Sequence, residues 1–188
     1  MHLVSNIMAH SFAWTLLTFF TVTLHGQSYF QQRVNHKIQV RLDDKRHVLS
    51  GYEEIEYHNN SPIALDTIYF HLWPNAYNST FSALGRQNME NNDLSLHFSD
   101  SLDKGFIDSL QFSVNSTAIQ LEYMNNHRDI GYIVLKKPVQ PGNSITISTP
   151  FRVKIPDAEF SRLGHVGESY MITQWLSLIH ISEPTRPY

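Results

Sequence analysis

Residues 36–58, HKIQVRLDDKRHVLSGYEEIEYH, decide the fold of this chain. Apolar and polar residues alternate in 36–42, which places one apolar set on a single face of a strand: Ile38, Val40 and Leu42. Asp43-Asp44-Lys45 favours a turn, because Asp side chains bond to nearby backbone groups. Residues 48–58 then alternate again, with Ile55 and Tyr57 between polar neighbours. The pattern predicts an antiparallel β-hairpin.

Strand-like segments continue along the rest of the chain. They are predicted at 65–72, 107–114, 117–123, 131–135, 144–153 and from 170 onward. Asn115-Ser116 fits a two-residue hairpin turn. The polar stretch 78–104 is interpreted as a surface excursion with one helical turn near 83–89, and 155–167 as irregular. Short strands separated by turns predict an all-β fold, an antiparallel β-sandwich or saddle.

Composition excludes several classes of function. The net charge is -3 and no run of Lys or Arg occurs, so the footprint of a nucleic-acid-binding protein is missing from the sequence. The chain has no cysteine, which excludes disulfides, Cys nucleophiles and thiolate metal sites.

The N-terminus carries an apolar run at 12–24. About 13 residues are too few to span a bilayer, which needs about 20, but they suit the apolar part of a signal peptide. With Gly26 as the small residue before the cut, 1–26 are predicted to be a signal peptide of an exported protein without a membrane span. An uncleaved anchor or a misplaced start is the alternative interpretation.

The C-terminal stretch 176–186, LSLIHISEPTR, equals the translation of a transposon adapter that is common in sequencing libraries. We therefore expect 176–188 to be an adapter-derived tail, excluded from fold and function. The domain under discussion is then 27–175, interrupted after Trp175. A native exposed tail is the alternative.

Motifs for chemistry are weak. The chain contains no HExxH, the helical zinc motif with two His four apart. Glu54, Glu56 and His58 share one strand face and could bind a metal, although a solvated strand face is the plainer interpretation. The candidate acids for sugar hydrolysis fall in predicted turns and loops: Asp43, Asp44, Asp100, Asp103 and Asp108. Trp73, Tyr77 and Tyr123 could stack on a sugar or could be core residues.

Several stretches resemble one protein family. They are 29–44, 49–57, 68–77 (IYFHLWPNAY), 145–156, 160–165 (FSRLGH) and 170–175. Together they resemble the N-terminal β-domain of exported bacterial members of the aminopeptidase N family, the gluzincin zinc metallopeptidases. The resemblance covers essentially all of 29–175.

The resemblance implies a curved sandwich packed on a catalytic domain that follows in sequence. That domain would supply the zinc ligands and the general base, and would remove N-terminal residues from peptide substrates. No zinc ligand is assigned within this chain, so the chain alone is expected to be inactive. The expected partners are the catalytic domain and, in the parent enzyme, a peptide.

The resemblance also implies one substrate-binding residue. Family members have a Thr-Gln pair near the end of this domain, matched here by Thr173-Gln174. The amide oxygen of Gln174 would accept a hydrogen bond from the free α-amine of the substrate. His165, between Gly164 and Gly167, is a second candidate, either near the cleft or holding its loop. The competing hypothesis for the whole chain is a stand-alone or scaffold β-sandwich that binds a peptide, a glycan or a protein partner without catalysis.

Overall fold

The structure is a computed structural model that describes residues 30–160 and 163–173, together with the backbone of 179–180. The predicted signal peptide and Gln174 lie outside the described residues, as does the predicted tail apart from that short piece of backbone. Within the described part, no helix is long and apolar enough to cross a membrane.

Strands dominate the chain. Their bounds are β1 Arg33–Asp43, β2 Val48–His58, β3 Leu65–His71, β4 Phe106–Asp108, β5 Ser113–Val114, β6 Thr117–Ala118, β7 Glu122–Met124, β8 His127–Val139, β9 Ser144–Lys154, β10 Leu163–Val166, β11 Ser169–Ile172 and β12 Ile179–His180. A 3₁₀ turn at Trp73–Tyr77 follows β3, and two short helices, α1 Ala83–Glu90 and α2 Ser95–Phe98, lie in the excursion before β4.

Two antiparallel sheets make a sandwich, as the sequence predicted. The larger sheet has the order β1-β2-β9-β5-β6, with β4 also paired to β9. The smaller sheet has the order β12-β3-β8-β7, and β10 pairs with β11 as a separate hairpin. The fold class is therefore all-β.

The core lies between the sheets because β2, β3, β8 and β9 turn apolar residues inward, whereas Val40 and Leu42 of β1 stay exposed. Ile55 and Tyr57 of β2 are each only 1 % exposed, and Phe70 of β3 is fully buried. The ring of Phe70 lies 4.6 Å from that of Phe112, between centroids. The alternation predicted in β2 is confirmed, since Ile55 and Tyr57 are buried and their polar neighbours Glu54 and Glu56 are exposed.

The first hairpin also agrees with the sequence. β1 and β2 pair from Arg33 with His58 to Asp43 with Val48. The Asp43 carboxylate accepts hydrogen bonds from the backbone N–H groups of Lys45 and Arg46, at 3.2 and 3.1 Å. This is the turn chemistry expected of Asp at that place.

Two predicted strands are broken in the structure. The segment predicted at 107–114 forms β4 and β5, because Ser109 takes a left-handed φ of 61° and the chain leaves the sheet there. The segment at 117–123 likewise divides into β6 and β7. The predicted turn between β5 and β6 is confirmed, since Asn115 and Ser116 have φ of 47° and 66°.

β10 and α2 were not predicted from the sequence. The stretch 155–167, interpreted as irregular, contains β10, and the polar excursion contains α2 in addition to the predicted helical turn. Each of these two elements is four residues long, which is too short to show a periodic pattern of apolar residues in the sequence.

Candidate functional site

The hairpin of β10 and β11 leads directly to the predicted substrate-binding residue. Leu163 pairs with Ile172 and Val166 with Ser169, and the turn at 167–168 uses the left-handed φ of 55° at Gly167. Thr173 follows β11 immediately and is exposed, and Gln174 lies one residue further, outside the described part. Thr173 is therefore the last described residue before Gln174, and it is attached to this hairpin.

One attachment is a backbone contact with the loop after β9. The N–H of His165 donates to the carbonyl of Pro156 at 3.1 Å, and the N–H of Ala158 donates to the carbonyl of His165 at 3.1 Å. Gly164 permits this approach, since a Cβ there would lie 2.4 Å from the Cα of Ala158. Only glycine fits this position without moving backbone.

A second attachment is a pair of stacked imidazoles. The rings of His47 and His165 lie 3.6 Å apart with an interplanar angle of 9°. His47 sits in the turn between β1 and β2 with a φ of 54°, and its carbonyl accepts a hydrogen bond from Ile155 at 2.9 Å. The stack therefore joins the first hairpin of the chain to the last.

Tyr170 of β11 completes this contact. Its hydroxyl donates to the carbonyl of Asp44 at 2.9 Å, and Nδ1 of His47 lies 2.7 Å from the same oxygen. Because the hydroxyl proton is used on Asp44, Nδ1 of His47 must be the donor in its own bond. We call His47, His165 and Tyr170 the histidine clasp.

Within the histidine clasp, the surroundings of His165 disfavour its charged form. Burial, the neighbouring His47 and then Lys154 lower the pKa of His165, while the carboxylate of Asp157 opposes them. Among the described residues, Nδ1 of His165 has no hydrogen-bond partner although it is buried. His165 thus holds its segment, and the structural role predicted as one option is the one these contacts support.

The candidate metal residues do not form a site. Glu54 and Glu56 are exposed, and Glu56 accepts a hydrogen bond from Nδ2 of Asn35 at 2.9 Å. Nδ1 of His58 lies 2.8 Å from Oγ of Ser144. Within the described ranges, no group of three or more His, Cys, Asp or Glu is placed to hold a metal ion.

Among the candidate aspartates, the carboxylates of Asp43, Asp103 and Asp108 make structural contacts. The Asp108 carboxylate accepts from Nε of Arg152 at 2.8 Å, which lowers the pKa of Asp108. Oδ2 of Asp103 accepts from the backbone of Asp100 at 3.3 Å. No two of these acids are shown facing each other across a cleft, so the geometry gives no support to glycoside hydrolysis.

The three candidate aromatic residues differ in their exposure and contacts. Tyr77 is 8 % exposed and belongs to the core, and Trp73 stacks on His71 with ring centroids 5.1 Å apart. Tyr123 is 40 % exposed, with the guanidinium of Arg128 lying 5.7 Å from its ring centroid. Of the three, Tyr123 alone offers an open ring surface.

Sequence reasoning missed a contact between a buried carboxylate and an imidazole. Glu53 is 3 % exposed, and its Oε1 lies 2.7 Å from Nδ1 of His36. The signal was present, because Glu53 and Glu54 are adjacent in a strand and must point to opposite faces.

Comparison with models of protein families and with curated proteins finds no match to this chain.

Proposed function

We propose that residues 27–175 are the N-terminal β-domain of an exported, zinc-dependent aminopeptidase-like metallopeptidase. In this proposal the parent enzyme removes N-terminal residues from peptides at a catalytic domain that follows in sequence. This chain contributes to substrate positioning and contains no catalytic residue.

The observation that carries the proposal is the attachment of the last hairpin. The histidine clasp and the paired backbone bonds to Pro156 and Ala158 fix β10, and β11 is fixed by its register with β10. Thr173 therefore follows a strand that is held in place, and Gln174 is the next residue in sequence. A residue that must meet a substrate amine benefits from a rigid support of this kind, because its geometry is set before binding.

Zinc belongs to the parent enzyme in this proposal. The described residues offer no donor set that fits the metal, so no step is assigned to zinc within this chain. The part assigned to Gln174 is to accept a hydrogen bond from the α-ammonium group of the peptide. Such a bond to a charged group contributes about 1.5–3 kcal/mol.

The test uses the protein that is encoded when the reading frame is extended beyond codon 175. We expect the extended frame to encode an intact HExxH with a downstream Glu, and the purified product to release amino acids from unblocked peptides in a chelator-sensitive way. Gln174→Ala should lower kcat/KM by about tenfold or more, since a charge-assisted hydrogen bond is lost.

The matched control is Gln140→Ala, which removes an exposed glutamine in the turn between β8 and β9 and should leave kcat/KM unchanged. Gln174→Ala that equals Gln140→Ala would refute the role of Gln174. An extended frame without the zinc motif would overturn the enzyme proposal and favour the scaffold hypothesis.

A further inference from the structure

The outer face of the smaller sheet carries a row of aromatic and acidic side chains. Tyr69 of β3 is directly opposite Tyr132 of β8, and Tyr132 is directly opposite Glu122 of β7. Residues paired in this way point to the same face of a sheet. The two tyrosine rings lie 5.6 Å apart with an interplanar angle of 40°.

The row is held in place by its own contacts. The hydroxyl of Tyr132 donates to Oε2 of Glu122 at 2.7 Å. This bond, followed by burial, raises the pKa of Tyr132, so the phenol keeps its proton. A ring fixed in this way loses little conformational freedom when something stacks on it.

A shallow cavity of about 510 Å³ opens beside the row. Its size falls within the roughly 300–1,000 Å³ of small-molecule sites. Its lining consists of Tyr69, Tyr123, Met124, Asn125, His127 and Tyr132. All of these side chains except that of Met124 carry a group that can form a hydrogen bond. The cavity therefore combines apolar ring faces with polar edges.

The charges next to the cavity are already engaged. Glu122 is bonded to Tyr132, and the guanidinium of Arg128 lies over the ring of Tyr123. Among the described residues, Glu122 and Arg128 beside the cavity carry opposite charges, so together they give it no net charge to attract an anion or a cation. A neutral ligand with many hydroxyls and one apolar face matches this surface.

We propose that this cavity is a binding site for neutral oligosaccharides, with one sugar ring lying against Tyr69 and Tyr132. The C–H face of the sugar packs on the aromatic rings, and its hydroxyls exchange hydrogen bonds with Asn125, His127 and the tyrosine hydroxyls. The cavity is open to solvent, so a longer chain extends beyond it. This activity is independent of peptide hydrolysis.

The test is isothermal titration of the full chain with uncharged hexasaccharides of glucose and of N-acetylglucosamine. We expect one of them to bind at millimolar concentration or below. Tyr132→Ala should weaken that binding by about tenfold, and Tyr132→Phe, which keeps the ring, should change it far less.

Tyr52→Ala is the matched control. Tyr52 is 44 % exposed on the larger sheet, away from the cavity, and its loss should leave the affinity unchanged. If Tyr132→Ala fails to fold, a second measurement on the unaltered chain tests the same proposal. Nitration of tyrosines, mapped by mass spectrometry, should be slowed by saturating oligosaccharide at Tyr69 and Tyr132 but not at Tyr52.

Absence of binding by both hexasaccharide series overturns the proposal. So does binding that Tyr132→Ala leaves unchanged, or nitration that sugar fails to slow. A neutral tetrapeptide serves as the competing probe. If it alone binds and protects Tyr69 and Tyr132, the site takes peptides and the glycan proposal is wrong.

Discussion

Glu53 is an acidic residue that is buried in the larger sheet. Its side chain faces the core of the sandwich, where a carboxylate without a partner costs free energy. His36 supplies the partner from the neighbouring strand β1. His36 is directly opposite Ile55, and Glu53 is directly opposite Ile38. The pair therefore has apolar cross-strand neighbours, and removing His36 leaves Glu53 in a poor environment.

We expect His36→Ala to lower the free energy of unfolding by about 1–3 kcal/mol, the cost of leaving a buried polar group unsatisfied. Urea unfolding followed by circular dichroism measures it. The double variant His36→Ala/Glu53→Met should be less destabilised than the single variant, because the buried charge is removed as well.

His58→Ala serves as the control for this prediction. His58 contacts Ser144 at an exposed position, and its loss should change stability by less than about 0.5 kcal/mol. Equal effects of His36→Ala and His58→Ala would contradict the account of Glu53.

At the scale of elements, the hairpin of β10 and β11 depends on a contact that acid should weaken. The groups that face or surround His165 are His47, Lys154, Asp157, Tyr170, Asp44 and Glu168. The pKa of His165 is lowered in the folded chain, whereas an unfolded histidine titrates near 6.5. As the pH falls, the unfolded chain takes up this proton first. The stabilisation by neutral His165 is therefore complete above about pH 6.5 and is lost as the pH falls through the folded pKa.

We expect Tm to fall as the pH is lowered from about 6.5 to about 5, and to fall less steeply in His165→Gln, which cannot titrate. His58→Gln should keep the slope of the unaltered chain. Differential scanning calorimetry across this range measures all three. Parallel slopes for the unaltered chain and His165→Gln would show that the stack does not respond to pH.

The elements also show which parts of the fold could be predicted from the sequence. β1, β2 and β9 are long and have polar and apolar sides, so alternation reveals them. β10 could not be found in this way, because it depends on the contact of Gly164 with Ala158 and on a stacking partner 118 positions earlier in the chain, from His165 to His47. The contact between Tyr69 and Tyr132 could not be predicted from the sequence for the same reason, since only the register of β3 and β8 brings these residues together. The role of Gln174 rests on the resemblance and stays a prediction.

At the scale of the whole molecule, four exposed apolar side chains lie on the two hairpins that the histidine clasp joins. Val166 is 68 % exposed and Met171 57 %, and Val40 and Leu42 near the turn of the first hairpin are 49 % and 39 % exposed. Open apolar surface of this kind favours association. In the proposed parent enzyme, a neighbouring domain would cover part of this surface.

We therefore expect the isolated chain to self-associate. Val166→Ser/Met171→Ser should raise the fraction of monomer, because both changes remove apolar surface from the hairpin of β10 and β11. Sedimentation velocity measures that fraction. Ile63→Ser is the control, since Ile63 is 63 % exposed but lies beyond the opposite end of β2. A monomeric, highly stable unaltered chain would contradict the prediction.

The central place of β9 has a consequence for how the protein is made. β9 pairs with β2 along its whole length and also with β4 and β5, yet it is the last of the long strands in chain order. Contacts between segments that are distant in sequence form slowly. Until they form, unpaired strand edges are exposed and can pair with the wrong strand. During synthesis, β2 keeps one edge bare until Lys154 has left the ribosome, so the larger sheet can close only when nearly all of the sandwich has been made.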